Sequence, residues 1–394
     1  MNIEQKFLLD YVGHCINKVT PSKAEPFIWN SEYQDIKWEQ VKLYIKKYNL
    51  YAFWGLNSLQ DERFHLIAND AGLRVQAMAS IARLIEQDYS WNEVKQAFET
   101  AKIDCIALKG IIVKGFYPID VMRTMHDIDI LYKEEQDCEM EKALNSIGFT
   151  RRKRALKHDH FMDDSGVHLE MHREMVDADT AYYEYYKNVW GKVNQLDGLQ
   201  HVFELTLEDL YIYNIVHMKE HLIHDAMSIK MIVDIYIMQK ECQFNKEYIF
   251  QELNKINLHK FEKHIVAISM KWFEKGCRIE KSDEEYELSE LILGNYKYDV
   301  DNMYPSYYSY YIGNSKFRYL LDLTFPSLKR MKTSFVWLKK YPYLLPFAWI
   351  VRIVRALFTR IDIVKVEANK AKRVNAETYK QGKELSKILQ KYGL

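Results

Sequence analysis

The hydrophobic period of this 394-residue chain changes near residue 103, and the change constrains the fold more than any other feature. Before it, in residues 81–85 and 91–103, apolar residues recur every three or four positions, which predicts helix. After it, residues 127–132 alternate between polar and apolar side chains, which is the period of a β-strand. The chain has only 7 Pro and 14 Gly, so we expect helix to dominate around one small unit that contains strands.

That unit is predicted over residues 103–174. Residues 103–108 form its first strand, and residues 134–147 a helix that Gly148 ends. Residues 158–162 and 167–171 form a hairpin around the turn Asp163-Asp-Ser-Gly166. From Thr206 onward the helical period returns. The predicted fold class is α+β, a small mixed sheet in a largely helical protein, with four predicted regions: 1–102, 103–174, 175–320 and 321–394.

Charge and cysteine content exclude several classes of protein. The chain has 55 Lys plus Arg and 55 Asp plus Glu, so no net field attracts nucleic acid, which is not an expected partner. Its 5 cysteines are odd in number and lack a C-x-x-C pair, which argues against a disulfide framework or a thiolate zinc site. The first residues lack a basic stretch followed by an apolar one, so we expect a cytoplasmic protein.

Asp127 and Asp129 carry the clearest chemical signal. Side chains two apart on a strand point to the same face, so both carboxylates project together while Ile128 and Ile130 face the core. Two like charges held this close repel each other. A divalent cation would neutralise them.

A second strand repeats this pattern around Glu170. Val167, Leu169 and Met171 share one face, whereas His168, Glu170 and His172 share the other. If the two strands are neighbours, Glu170 joins the aspartates in a cluster of three carboxylates. Such a cluster can hold two Mg²⁺, or two Mn²⁺, about 4 Å apart for in-line attack on phosphorus.

The Lys109-Gly110 pair lies where the first strand ends and a helix starts. A glycine there lets backbone N–H groups approach phosphate oxygens, and Lys109 adds a positive charge. Arg123, four residues before Asp127, can fork onto a phosphate or brace the carboxylates.

The ordered set of these motifs resembles the polymerase-beta-type nucleotidyltransferase superfamily. More narrowly, it is similar to a bacterial branch that is often encoded with polysaccharide or modified-peptide biosynthesis genes. The resemblance covers about residues 100–240 and rests on the following motifs: Leu108-Lys-Gly110, Tyr117-Pro118, Arg123-x-Met125-x-Asp127-Ile-Asp129-Ile-Leu131, Leu169-Glu-Met-His172, Leu205-Thr-Leu-Glu-Asp209 and Asp234.

The resemblance implies a nucleotidyltransferase palm over residues 103–174. In it, Asp127, Asp129 and Glu170 would hold the metal ions and act as the catalytic residues. Lys109, Gly110, Arg123 and His172 would bind the nucleotide. Two positions depart from the pattern: Lys109-Gly110 replaces the commoner Gly-Ser, and His126 stands where a small residue is usual. These departures affect the phosphate contact and the nucleotide preference.

The expected reaction is the transfer of a nucleoside monophosphate from an NTP to an acceptor, with release of pyrophosphate. The acceptor is a small molecule, glycan, peptide or protein that the sequence does not identify. One alternative is an inactive member of the same fold that binds a nucleotide or a partner. A remote alternative is a zinc peptidase, because His217-Met-Lys-Glu-His221 matches H-x-x-E-H. Otherwise this helix lines the nucleotide cleft, or its histidines are half-buried polar residues.

Residues 323–361 contain eight Lys or Arg and no Asp or Glu, interleaved with bulky aromatic residues. Two interpretations stay open: a helix packed on the domain, or a peripheral contact with the inner face of a membrane. The basic run 151–154 is expected at a solvated strand edge. The tyrosine-rich stretch 296–319 is expected as a packed connector.

Overall fold

The computed structural model describes residues 1–17, 27, 30–57, 70–154, 158–177, 180–224, 227–295, 315–328, 331–332, 335–359 and 375–394. The fold is α+β, as the sequence predicts. Its described helices are α1 (Ile3–Asn17), α2 (Trp38–Tyr48), α3 (Tyr51–Asn57), α4 (Ala71–Ala101), α5 (Gly110–Val113), α6 (Asp137–Ser146), α7 (Tyr183–Tyr186), α8 (Leu207–His224), α9 (Ile229–Glu241), α10 (Lys246–Lys255), α11 (His259–Phe273), α12 (Tyr286–Ile292), α13 (Lys316–Thr324), α14 (Leu345–Thr359) and α15 (Ala376–Lys391).

The described strands form one mixed sheet in the order β3-β4-β5-β2-β1-β7-β6. The pairs β2–β5 and β1–β7 are parallel, and the other neighbours are antiparallel. The strands are β1 (Cys105–Ala107), β2 (Ile128–Tyr132), β3 (Thr150–Arg154), β4 (His158–Met162), β5 (His168–His172), β6 (Val193–Gln195) and β7 (Val202–Leu205).

The two faces of the sheet pack against different helices. Ile128 and Ile130 belong to the core formed with α4 and α6, together with Leu169 and Met171. Leu131 belongs to the larger core formed with α1, α8, α9 and α11. Because side chains alternate along a strand, the polar residues between the isoleucines face the side of α8 and α9.

Most predicted elements lie within about two residues of the observed ones. The helix predicted at 134–147 is a 3₁₀ turn followed by α6, and Gly148 ends it with a φ of 90°. The predicted hairpin is β4–β5. The basic run 151–154 falls in β3, an exposed strand at one end of the sheet order, as expected.

Two strands were not predicted. β6 and β7 extend the sheet into residues 193–205, where the sequence indicated no strand. The division into four regions stays a prediction. Of the tyrosine-rich stretch, residues 296–314 lie outside the described residues, as do 329–330, 333–334 and 360–361 of the cationic segment. Within the described helices, none combines the length and apolar character needed to cross a bilayer.

Candidate active site

Asp129 and Glu170 face each other across neighbouring parallel strands. β2 and β5 are registered so that Asp129 lies opposite Glu170. Asp127, one residue before β2 begins, lies close enough to both acids for their charges to raise its pKa. The sequence predicted a three-carboxylate cluster on the condition that the strands of Asp129 and Glu170 are neighbours. The pairing of β2 with β5 meets that condition. The cluster is not sealed from solvent, because the side chains of Asp129 and Glu170 keep 11% and 19% of their surface exposed.

Crowding shifts the acidity of the two aspartates in opposite directions. Burial and the charges of Asp129 and Glu170 raise the pKa of Asp127 to about 7. Burial also acts to raise the pKa of Asp129, but Lys109 and His172 outweigh it and hold this pKa well below its ordinary value. Near neutral pH, Asp129 is therefore ionised, whereas Asp127 ionises only against the repulsion of its neighbours.

Lys109 occupies the turn between β1 and α5 in a conformation that favours glycine. Its φ is 53° and its ψ is −123°, a region in which a side chain is strained. Lys109 Nζ donates to Asp129 Oδ1 over 2.8 Å. Burial acts to lower the pKa of Lys109, but Asp129 raises it above its ordinary value. The structure thus places this amine on a carboxylate of the cluster, and its contact with a phosphate stays a prediction.

Gly110 follows this turn as the first residue of α5. A Cβ at Gly110 would lie 3.5 Å from Met125 Sδ and 3.7 Å from Arg123 Cζ, which are ordinary contact distances. Of the two residues in the turn, it is therefore Lys109 that adopts the glycine-like backbone.

Arg123 binds an acid from α9, and none of its described hydrogen bonds goes to Asp127 or Asp129. Its Nε and Nη2 donate to Asp234 Oδ1 and Oδ2 over 2.7 and 2.8 Å. The Tyr117 hydroxyl donates to the same Oδ1 over 2.6 Å. Asp234 is only 3% exposed, so this pairing ties the loop before β2 to α9 from inside the protein. Arg123 is a positioning residue in this arrangement, and its contact with a phosphate stays a prediction.

Histidines from two adjacent strands surround Glu170. His172 Nε2 lies 2.8 Å from Asp129 Oδ1 and 3.6 Å from Glu170 Oε2. His158 Nε2 lies 3.3 Å from the same Oε2, and His160 Nδ1 lies 3.5 Å from Oε1. Sequence reasoning found His172 but missed the two histidines of β4. Their alternation in His158-Asp-His160 was the available signal, since it places both on one face of a strand.

Lys230 is a second residue that the sequence did not mark. Its Nζ donates to the backbone oxygen of Thr124 over 3.1 Å and to the Thr124 hydroxyl over 3.3 Å. Burial, followed by the charge of Arg123, lowers the pKa of Lys230 to about 7. A single lysine in an apolar helix usually extends to solvent, so the sequence carried no signal for the buried contact of Lys230 with Thr124.

His217 and His221 of α8 lie near the same cluster. Their ring centroids are 4.3 Å apart, and His217 stacks on Tyr213, over which Lys109 Nζ lies at 5.9 Å. Burial, followed by the charge of Lys109, holds the pKa of His217 well below its ordinary value. Among the described residues, neither histidine belongs to a group of three candidate metal ligands, and the zinc-peptidase alternative stays a prediction.

Comparisons with known proteins identify a family for this chain. A family model described as "Uncharacterised nucleotidyltransferase" matches residues 57–274, which is more than half of the chain. Among solved structures, the solution structure of the antibiotic-resistance factor ANT(2'')-Ia is similar at 13% sequence identity and a TM-score of 0.34, over 46% of this chain and 95% of that chain. A comparison with curated proteins finds no match.

Proposed function

Because the chain belongs to the family described as uncharacterised nucleotidyltransferase, we propose that it transfers a nucleoside monophosphate from an NTP to an acceptor and releases pyrophosphate. The observation that supports this most is the register of β2 and β5, which sets Asp129 opposite Glu170. Asp127 completes the group, because the charges of Asp129 and Glu170 act on it. The acceptor group is a hydroxyl, phosphate or carboxylate.

The three carboxylates fit divalent cations that prefer oxygen ligands. Their donor atoms are all carboxylate oxygens, the ligand type that Mg²⁺ and Mn²⁺ take. The raised pKa of Asp127 indicates negative charge that its neighbours do not balance. Asp127, Asp129 and Glu170 would therefore hold two Mg²⁺ or Mn²⁺. When bound, such ions lower the pKa of an acceptor oxygen and stabilise charge on the leaving pyrophosphate.

The side chains around the cluster have separate tasks in this proposal. The acceptor oxygen bonds to the α-phosphorus, and Glu170 accepts the proton of the acceptor. The bond from the α-phosphorus to the bridging oxygen breaks, and pyrophosphate leaves with the electron pair. Lys109 exchanges its contact with Asp129 for a phosphate oxygen, because both partners are anionic oxygens. The Lys109-Gly110 turn then contacts the triphosphate, while Arg123 holds the loop before β2.

Transfer from labelled nucleotides tests the proposal. The purified protein is incubated with each α-labelled NTP, with Mg²⁺ or Mn²⁺ and cell extract, and labelled products and pyrophosphate are measured. We expect transfer by the wild type and none by Asp129→Asn. Asp164→Asn is the matched control, because Asp164 is an exposed acid in the β4–β5 turn. Full activity of Asp129→Asn with every NTP would show that the site assignment is wrong.

One observation favours the inactive alternative. The Lys109 amine already contacts Asp129, as expected if its ammonium group permanently occupied the position of a metal ion. Calorimetry with each NTP, with and without Mg²⁺, separates the two functions. Nucleotide binding without any turnover would support the inactive member.

A further inference from the structure

His158 and His172 flank Glu170 and form with it a second donor set, which differs in chemistry from the three carboxylates of the proposed transfer. One ring nitrogen of His158, one ring nitrogen of His172 and a carboxylate oxygen of Glu170 all lie within 4.8 Å of one another. Glu170 Oε2 lies 3.3 Å from His158 Nε2 and 3.6 Å from His172 Nε2. In a tetrahedral site with bonds of about 2.1 Å, neighbouring ligand atoms are about 3.4 Å apart. The two separations from Glu170 Oε2 match that edge length.

The backbone fixes this donor set rigidly. β4 and β5 pair antiparallel, with His158 opposite His172 and His160 opposite Glu170. All three donors therefore come from one face of two adjacent strands, which holds ligands more precisely than a loop does. His158 Nδ1 is buried and has no hydrogen-bond partner in the described structure, so this imidazole makes its polar contact through Nε2.

We propose that His158, His172 and Glu170 bind one divalent transition-metal ion of the Zn²⁺ class, with water completing the coordination. Imidazole nitrogen suits Zn²⁺, Fe²⁺ and Ni²⁺, whereas Mg²⁺ prefers oxygen ligands. The site differs from the three-carboxylate set in its ligand chemistry and shares only Glu170 with it. Its occupation requires no nucleotide and therefore does not depend on the proposed transfer reaction.

Metal binding to the full-length protein without nucleotide tests this site. The protein is stripped with a chelator, dialysed and titrated with Zn²⁺, followed by elemental analysis, and with Co²⁺, followed by its visible absorption. We expect one equivalent to bind. Excess Mg²⁺ should not displace it. His158→Gln should weaken binding at least tenfold, whereas His168→Gln, an exposed histidine of β5, should leave it unchanged.

Three results would overturn the inference: no stoichiometric binding, displacement by Mg²⁺, or equal affinity of the wild type and a folded His158→Gln variant. If that variant does not fold, competition by Mg²⁺ on the wild type decides the question. Failure here is distinguishable from failure of the proposed function. Transfer without Zn²⁺ binding overturns only the imidazole site, and Zn²⁺ binding without transfer overturns only the transferase.

An independent observation concerns the outer face of α14. Phe347, Ile350 and Val354 are 57%, 59% and 46% exposed, and Tyr343 just before the helix is 72% exposed. Their spacing places them along one side of the helix. On another side, Ala348 is buried and Trp349 Nε1 donates to the backbone oxygen of Pro326 over 2.9 Å. The apolar stripe therefore faces outward, whereas the side of α14 that carries Ala348 and Trp349 packs against the protein.

We infer that this face lies on an anionic lipid surface. Residues 323–361 contain eight Lys or Arg and no Asp or Glu, which matches the charge of anionic headgroups. An amphipathic helix of basic and bulky apolar residues inserts its apolar side at the boundary of the headgroups. An exposed apolar stripe of this kind marks an interaction site in a water-soluble protein.

Co-sedimentation with vesicles tests the lipid contact. We expect the full-length protein to pellet at low salt with vesicles of phosphatidylcholine and phosphatidylserine, and not with phosphatidylcholine alone. Ile350→Glu should abolish pelleting. Met78→Glu, which changes an exposed methionine of α4, should not. Failure of the wild type to pellet would overturn the inference, as would a lipid-free dimer that Ile350→Glu dissociates.

Discussion

Replacing Asp127 by asparagine should stabilise the folded protein at neutral and alkaline pH. Burial and two neighbouring carboxylates raise the pKa of Asp127 from 3.8 to about 7. Between these values the folded state binds more protons than the unfolded state, so the free energy of unfolding falls as pH rises through this window. An asparagine carries no charge, so it removes this pH-dependent repulsion.

The size of the effect follows from the pKa difference. One pKa unit corresponds to about 1.4 kcal/mol, so a shift of roughly three units sets a ceiling of about 4 kcal/mol at pH 8 and about 2 kcal/mol at pH 5. Asp127 keeps some contact with solvent, which screens its neighbours. We therefore expect about half of each ceiling.

Urea denaturation without divalent cations measures this effect. The midpoints of the wild type and of Asp127→Asn are compared at pH 5 and pH 8. Asp164→Asn is the control, because it removes an exposed acid from the turn between β4 and β5. The reasoning is refuted if Asp127→Asn is less stable than the wild type at pH 8, or if its advantage does not grow with pH. Added Mg²⁺ should stabilise the wild type more than the variant, because the variant lacks one carboxylate ligand.

Three further changes test the framework of the site by urea denaturation. Lys109→Gly should be more stable than Lys109→Ala by about 1–2 kcal/mol, because both remove the amine and only glycine relaxes a φ of 53°; equal stability would contradict the strain. Asp234→Asn should lower the free energy of unfolding by about 3 kcal/mol, because it removes the charge that balances the buried Arg123. A decrease below about 1 kcal/mol would contradict the importance of this ion pair. Gly148→Ala should lower the free energy of unfolding by about 1–2 kcal/mol, because alanine is strained at the φ of 90° found there. Gly115→Ala should lower it by less, because Gly115 has no positive φ. A Cβ at either position meets no atom within 4 Å, so the comparison isolates the effect of the backbone conformation.

The sequence predicted the carboxylate cluster because local alternation determines which face a side chain occupies. Asp127 and Asp129 alternate with core isoleucines, and Glu170 alternates with core residues of a second strand. Once those cores meet, the acids must share a side. The remaining step, the pairing of β2 with β5, depends on contacts about 40 residues apart in the chain, and only the family resemblance implied it.

The features that sequence reasoning missed depend on distant partners. β6 and β7 are three and four residues long, too short for a visible period, and β7 is fixed by pairing with β1. The contact of Lys109 with Asp129 requires a strained turn that lysine rarely adopts. The role of His158 depends on the residue across from it in β5.

The position of β7 beside β1 has a consequence for biosynthesis. β1 pairs Cys105 with Val202, so the ribosome must add about 100 residues, roughly 5–20 s of synthesis, before that partner exists. During this interval β1, whose residues Cys105, Ile106 and Ala107 are all apolar, presents an open hydrogen-bonding edge to other nascent chains. The half of the sheet that carries the carboxylate cluster is thus complete before β1 gains its second neighbour, and chaperone binding during translation would protect this strand first.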